Sequence, residues 1–186
     1  MSSVAYIPPK LTPAEYLARE ASSLTKHEFV DGVVYAMAGG TGRHARVATV
    51  LANTLFNHLP ESCEVVPFVM KVRINAGHSE LFYYPDVIVT CGQVDLTLDY
   101  REEPILLIEV LSPSTERTDR KEKFEAYKNI RSLQEYIIAH QDIPTIEVYR
   151  RRTVWQQEVF LPGTRFMLDS VELELAVDDI YRRMNF

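Results

Sequence analysis

Two carboxylates lie in apolar segments where a charged side chain is unexpected. Asp86 follows Pro85 and precedes the Val-Ile-Val run 87–89, and Glu109 lies inside the apolar segment 105–111. An ionised carboxylate in a buried strand is costly unless it is paired or binds a cation. Both segments are typical of strands buried on two faces, so we interpret the two acids as candidate metal ligands.

The alternation of side chains along a strand predicts the faces on which these acids lie. Glu109 shares a face with Leu107 and Leu111, and Asp86 shares one with Ile88. If the two strands are neighbours, the carboxylates converge at one end of the sheet. Mg²⁺ suits such a pair, because it takes oxygen ligands and leaves other positions to water and phosphate. An ion held there would polarise a phosphoryl oxygen and lower the pKa of a bound water, which is chemistry that cuts a phosphodiester.

A lysine on the following helix would add a positive charge to this site. The segment 116–130 is predicted to be helical, and Asp119, Lys123 and Tyr127 are spaced i, i+4 and i+8, which places them on one face. Lys123 would then project toward the two acids. The alternative is an ordinary surface ion pair between Asp119 and Lys123, worth only a few tenths of a kcal/mol.

Each acid also has an ordinary explanation. Asp86 could cap the entry to its strand after Pro85. Glu109 could form a buried salt bridge with a nearby cation, for which the candidates are Arg117, Arg120 and Lys71. The order of the signals is more specific than any one of them: Pro-Asp, an apolar strand, Glu in a second apolar strand, Ser-Pro-Ser-Thr, and a helix bearing Lys.

Size and composition favour one globular domain over residues 1–186, with 1–12 as an N-terminal arm. The chain has 186 residues, of which 46% are hydrophobic and 25% charged. No apolar segment approaches the ~20 residues of a membrane span, and the first residues lack the pattern of a secretory signal. Cys63 and Cys91 lack the spacing of a metal finger, which predicts a reduced, cytoplasmic protein.

The net charge of −6 argues against strong non-specific binding to DNA. It does not exclude a nuclease, because bound divalent metals and local basic patches offset it. Two basic patches are present, one within 117–131 and the other at 150–152. We interpret the arginine triplet 150–152 as a solvated face.

Periodicity and turn signals predict a mixed α/β order with the two acid-bearing strands at the sheet centre. The predicted elements are a helix over 12–20, a hairpin over 29–37 turned at 31–32, a helix over 43–58, strands near 64–68, 69–74, 83–90, 104–111, 135–139, 145–149 and 154–160, and a last helix over 177–184. The glycine-rich segment 39–42 is interpreted as a turn rather than a nucleotide-binding loop, because no Gly-Lys-Ser/Thr follows. His44 is assigned a structural role.

In combination these segments resemble the PD-(D/E)-x-K nuclease superfamily. They resemble more closely the Uma-type restriction endonuclease family, which is abundant in cyanobacteria and was long treated as a domain of unknown function. The matching segments are 27–32, 37–40 with His44, 84–89, 108–115, 119–127 and 135–136. The resemblance covers roughly 12–149. It implies an α/β fold with a restriction-endonuclease-like core, a central mixed β-sheet flanked by helices, and Asp86 and Glu109 as metal ligands.

One departure from the superfamily pattern concerns the lysine. Leu111 stands where the superfamily has Lys, two residues after Glu109. In families of this kind the lysine has moved to the next helix, which implies Lys123, with Lys121 as the fallback. Glu28 matches a family acid that can complete the metal site, so the resemblance implies a third ligand there. From the sequence alone Glu28 could equally be a charge on the hairpin.

The leading hypothesis is a Mg²⁺-dependent DNA endonuclease, with Mn²⁺ as a possible substitute. Asp86 and Glu109, with Glu28, would hold the metal, Lys123 would orient or activate the attacking water, and Asp119 and Tyr127 would support the lysine. Cutting both strands needs two sites, which predicts a homodimer. The rival hypothesis is a catalytically inactive nuclease-fold module for DNA binding or protein association, favoured somewhat by the acidic charge and by Leu111.

Overall fold

Strands outnumber helices in the described part of the computed structural model, which comprises residues 10–37, 39–77, 79–112, 116, 118–184 and 186. The elements in chain order are α1 (Pro13–Glu20), β1 (His27–Val30), β2 (Val33–Ala36), α2 (Gly42–His58), β3 (Cys63–Pro67), β4 (Lys71–Ala76), β5 (Ser79–Tyr83), β6 (Val87–Cys91), β7 (Tyr100–Arg101), β8 (Leu106–Leu111), a π-helical segment (Thr118–Lys123), α3 (Phe124–Tyr127), β9 (Glu135–His140), β10 (Ile146–Arg150), β11 (Gln157–Phe160), β12 (Arg165–Leu168), β13 (Leu173–Ala176) and α4 (Val177–Tyr181). No helix in these ranges is both long and apolar enough to cross a membrane.

A six-stranded sheet in the order β11-β10-β9-β8-β6-β3 forms the centre of the fold. It is mixed, because β8 and β9 run parallel while the other neighbours run antiparallel. All six residues of β8 are buried. On one face of the sheet, α2 packs through Val47, Leu51 and Leu55. On the other, α3 packs through Ala126 and Tyr127. This is the predicted central mixed sheet flanked by helices.

A second sheet in the order β2-β1-β5-β4-β7 carries Glu28 on β1. The predicted hairpin turn is present, since β1 and β2 pair up to Val30 and Val33 and leave two turn residues. Both have positive φ, 49° at Asp31 and 92° at Gly32, as this type of tight hairpin turn requires. A Cβ at Gly32 would also lie 2.6 Å from the Cβ of Lys10, so a larger residue does not fit.

The structure corrects several predicted boundaries. The segment predicted as one strand over 83–90 is interrupted at 84–86, because Pro85 has no N–H for a ladder, and β5 before it was not predicted. Strands β7, β12 and β13 were also missed, because they have only two to four residues each. The helix predicted over 116–130 is π-helical over Thr118–Lys123 and α-helical only over Phe124–Tyr127. Residues 113–115 and 117, and all but three residues of the predicted arm 1–12, lie outside the described ranges.

The two cysteines do not match the prediction of free thiols. Cys63 of β3 and Cys91 of β6 face each other across the strand pair, with their Cα atoms 4.0 Å apart, and form a disulfide. Disulfides are rare in reducing compartments. The cysteine content therefore no longer supports a cytoplasmic location, which stays a prediction.

The interpretation of the arginine triplet 150–152 as a solvated face was wrong for its first member. Arg150 is buried, with its Nε 3.0 Å from Glu135 and 3.1 Å from Asp169, and it also pairs with Glu158. Arg152 is exposed, as predicted. Arg150 is therefore an internal crosslink between β9, β10, β11 and the turn before β13.

An ion pair between half-buried Arg120 and buried Glu147 fixes the π-helical segment to the sheet. Arg120 donates two hydrogen bonds to the Glu147 carboxylate on β10, of 2.7 and 2.6 Å, and Tyr149, Gln157 and His140 contact the same carboxylate at 2.7–2.8 Å. Burial by itself would raise the pKa of Glu147. The hydrogen bonds from His140, Arg120 and Tyr149 outweigh burial and lower that pKa below its ordinary value of 4.5.

The same segment is attached to the sheet at a second point. Glu109 pairs with Ile138 and Ile138 pairs with Glu147, so the two acids share a face of the sheet two strands, or about 10 Å, apart. Arg120 binds Glu147 while Lys123, three residues later, binds Glu109. The ion pairs of Arg120 and Lys123 thus attach the π-helical segment to the sheet at two points, and this attachment fixes where Lys123 lies.

We expect Glu147→Gln to lower the free energy of unfolding near pH 7 by about 1–3 kcal/mol, because a neutral amide replaces the carboxylate partner of Arg120. A carboxylate whose pKa is lowered on folding stabilises above its unfolded pKa, and that contribution is lost as the pH falls. The difference between wild type and variant should therefore shrink below about pH 4.5. Urea unfolding of both proteins near pH 7 and at about pH 3.5 measures it.

The matched control is Glu174→Gln, since Glu174 pairs with Arg165 and both side chains are half exposed. Its effect should stay within about 0.5 kcal/mol at both pH values. A Glu147→Gln difference that does not change with pH would contradict the assignment of a low pKa to this carboxylate.

Candidate active site

The Asp86 carboxylate lies at the junction of three elements. It immediately precedes β6, and its Oδ2 accepts a 2.7 Å hydrogen bond from the backbone N–H of Val110 on β8. Its Oδ1 lies 2.7 Å from Nε2 of His44 in the first turn of α2. The strands β6 and β8 are neighbours, and Val87 pairs with Ile108. Continuing this register by one residue brings Asp86 opposite Glu109.

Glu109 is 3% exposed although it carries a carboxyl group. Burial raises its pKa well above the usual value of 4.5, the Lys123 ammonium opposes this shift, and the carboxylates of Asp119, Asp86 and Glu28 add to it. A buried carboxylate surrounded by other carboxylates is a site that favours an additional cation.

The Lys123 ammonium lies among three carboxylates. Its Nζ is 2.8 Å from Oε1 of Glu28, 3.2 Å from Oε1 of Glu109 and 3.2 Å from Oδ1 of Asp119. Burial lowers the pKa of Lys123, but Glu109, Asp119 and Glu28 together raise it above 10.5. Lys123 is therefore a protonated, buried cation. The alternative of a surface ion pair is wrong, because Asp119 and Lys123 are 2% and 4% exposed.

Two tyrosines, one on α3 and one on the neighbouring strand β9, support this cluster. Tyr127 of α3 donates a 2.8 Å hydrogen bond to the same oxygen of Glu109 that Lys123 contacts. Tyr136 of β9 donates a 3.1 Å hydrogen bond to the backbone carbonyl of Asp119. Both rings are fully buried and lie 5.3 Å apart, so they form a rigid floor beneath the carboxylates.

The described cations that could have formed a structural salt bridge with Glu109 pair with other acids instead. Arg120 binds Glu147, and Lys71 binds Asp99 at 2.6 Å. Arg117 lies outside the described residues. Lys121, the fallback for the catalytic cation, is exposed, whereas Lys123 faces the acids.

The carboxylate oxygens of Asp86 and Glu109 suit a hard cation, whereas Glu28 is not placed as a third ligand. Asp86 and Glu109 supply carboxylate oxygens on adjacent strands, and Mg²⁺ commonly uses one or two such ligands. Glu28, predicted as a third ligand, contacts Lys123 instead. Among the described residues no three His, Cys, Asp or Glu side chains converge as a ready-made metal site. The carboxylate pair therefore fits the ion, and a three-acid set is not assembled.

The carboxylates of Asp86, Glu109 and Asp119 line a cavity of about 400 Å³. Its walls come from β8, α2, the π-helical segment and the loops around 26, 37–40, 68 and 84–86. The lining residues are Lys26, Met37, Gly39, Gly40, His44, Ala45, Phe68, Tyr84, Pro85, Asp86, Glu109, Val110, Ser112, Asp119 and Lys123. The sequence analysis assigned His44 a structural role, and the structure places its ring against Asp86 in this cavity. Lys26, which also lines the cavity, carried no signal in the sequence.

A protein family and several known proteins are similar to this chain. The model of the Uma2 family, described as "Putative restriction endonuclease", matches residues 13–178. Two uncharacterized proteins of Synechocystis sp. align along most of their length. One is 36% identical over 182 residues, with 96% of this chain and 95% of that protein covered. The other is 32% identical over 169 residues, with 89% and 93% covered.

A solved structure from Anabaena variabilis, described as "a putative nuclease belonging to DUF820", has the same fold. Its TM-score is 0.75 at 19% identity, and the match covers 94% of this chain and 98% of that one. At this identity the likeness concerns the fold alone. The family match over most of the chain and the two relatives above 30% identity show that this chain belongs to the Uma2 family of restriction-endonuclease-like proteins.

Proposed function

We propose that this protein is a Mg²⁺-dependent DNA endonuclease that hydrolyses phosphodiester bonds. The observation that carries the proposal is the convergence of Asp86, Glu109 and the Lys123 ammonium at one cavity, from three separate parts of the chain. The family supports a nuclease in general terms. The metal, the roles of the residues and the homodimer belong to the proposal.

The balance of charge is the main support for a divalent metal. Three carboxylates, those of Glu28, Glu109 and Asp119, contact the one ammonium of Lys123, and the Asp86 carboxylate acts on Glu109 as a fourth negative group of the cluster. Uncompensated buried charge is unfavourable, so a cation beside Asp86 and Glu109 would stabilise the site. The chemistry that a bound divalent ion supplies is polarisation of a phosphoryl oxygen and activation of water.

The chain's own residues position this chemistry. The backbone N–H of Val110 and the ring of His44 hold the Asp86 carboxylate from two sides. Lys123, kept protonated by its three carboxylates, serves as an electrostatic group that orients water and offsets charge developing on the phosphate, rather than as a proton acceptor. Glu28, Asp119 and Tyr127 hold the lysine or its partner in place.

The first test is metal binding measured by calorimetry with Mn²⁺. We expect the wild type to bind, and we expect Asp86→Asn to lose at least about tenfold in affinity, because it removes one of two anionic ligands. The matched control is Asp95→Asn, in the loop after β6, which should bind like the wild type. Equal binding by wild type and Asp86→Asn, or no binding by either, would favour the inactive nuclease-fold module.

The second test is plasmid nicking with Mg²⁺. Glu109→Gln and Lys123→Ala should each lower the cleavage rate by about 100-fold or more, because they remove charge from the reacting centre. Lys121→Ala is the matched control, since Lys121 is exposed two residues away, and it should cut normally. Unfolding curves of each variant establish that it is folded. Unchanged cleavage by both folded site variants would mean that the activity comes from another site or another protein.

A further inference from the structure

The helix α2 is unusual in this chain for its charge. The protein has 26 acidic residues and a net charge of −6, yet the 17 residues of α2 include no Asp or Glu. Its exposed face carries Arg43 and Arg46. A helix free of carboxylates in an acidic protein provides a local positive surface, which net charge alone conceals.

A groove lies between this helix and the end of α4. We call it the basic groove; its volume is about 490 Å³, and its lining residues are Ala45, Arg46, Thr49, Val50, Asn53, Thr54, Asp179, Ile180, Arg182 and Arg183. Three of these residues are arginines and one is an acid. Asp179 lies 3.9 Å from Arg182, with both side chains more than half exposed, so this pair is weak.

One hydrogen bond joins the two walls of the groove. Arg46 of α2 donates it from Nη1 to the backbone carbonyl of Arg183, just after α4. Arg46, Arg182 and Arg183 all line this groove, and a bound anion would offset the repulsion between their like charges.

The basic groove adjoins the candidate active site. Ala45 lines both cavities, with His44 on the side of the carboxylates and Arg46 on the side of the groove. From Ala45 to Asn53 the groove follows α2 for about 12 Å, at 1.5 Å per residue. At about 3.4 Å per nucleotide of a duplex strand, this corresponds to about three or four phosphates.

We propose that the basic groove binds the phosphodiester backbone of the DNA strand that leads into the cavity of Asp86 and Glu109. The inference rests on the proposed nuclease function and adds the path of the substrate. Arg46, Arg182 and Arg183 match phosphate oxygens with charged, forked donors. The side chains of Thr49 and Asn53 are of the types that make neutral phosphate contacts. Its three arginines give a protein of net charge −6 a local positive surface to which a polyanionic substrate can bind.

The test is fluorescence anisotropy of a labelled DNA duplex in EDTA, where no cleavage occurs, over a range of salt concentrations. The double variant Arg182→Ala/Arg183→Ala should bind about tenfold or more weakly, and its dependence of log K on log salt should be shallower by about two units, one for each lost phosphate contact. The charge-conserving pair Arg182→Lys/Arg183→Lys should retain most of the affinity. Arg131→Ala is the matched control, because Arg131 is an exposed arginine that lines a separate cavity with Arg73.

Cleavage kinetics separate this inference from the proposed function. With Mg²⁺, the alanine pair should raise KM about tenfold while kcat stays within about twofold, because the groove acts on binding away from the reacting atoms. If the wild type binds and cuts DNA and the alanine pair matches it in affinity and salt dependence, the groove assignment is overturned and the nuclease stands. If the wild type neither binds nor cuts DNA, both are overturned.

Discussion

The ammonium group of Lys123 is the interaction on which the site depends, because it lies within 3.2 Å of carboxylates from three parts of the chain. Glu28 comes from the second sheet, Glu109 from the centre of the first, and Asp119 from the same π-helical segment as the lysine. None of these acids is stable as a buried ion without a partner, and the lysine is not stable there without them. The cluster therefore links the two sheets and the helical segment, and a change in any one member affects the others.

The position of this lysine depends in turn on a second ion pair, between Arg120 and Glu147, that does not line the candidate active site. Glu147 and Glu109 face the same side of the sheet two strands apart, and one short helical segment binds both through Arg120 and Lys123. A π-helical turn is often found at functional sites, where it trades regular hydrogen bonding for the placement of side chains. Here the two-point attachment explains how an irregular segment holds a catalytic candidate in a fixed place.

Charge is distributed unevenly over this acidic protein. Carboxylates are concentrated inside the cavity, where they exceed the cations, and arginines line the adjoining groove on α2 and α4. Such an arrangement would repel a polyanion at the reacting centre without a metal and attract it beside that centre. In the proposed nuclease, DNA binding and DNA cleavage would then depend on different residues, and the metal would be needed mainly for cleavage.

The local pattern of the sequence was enough to identify the two acids, the hairpin at Asp31-Gly32, the helix α2 and the strands around Asp86 and Glu109, because each depends on burial periodicity or turn chemistry within a few residues. The shift of the lysine from position 111 to Lys123 came from the family resemblance. The sequence did not reveal the contact between His44 and Asp86, the pairing of Cys63 with Cys91, or the burial of Arg150. Each of these contacts joins residues on different strands, helices or turns, and the partner is set by strand order and register.

The sequence by itself thus determined that Asp86 and Glu109 need a compensating charge, since the cost of a carboxylate in an apolar strand does not depend on the rest of the fold. Only the tertiary structure decided which cation compensates Glu109, because packing places Lys123 against Glu109 and Arg120 against Glu147, whereas the sequence had left Arg120, Lys71 and Lys123 all open as partners of Glu109.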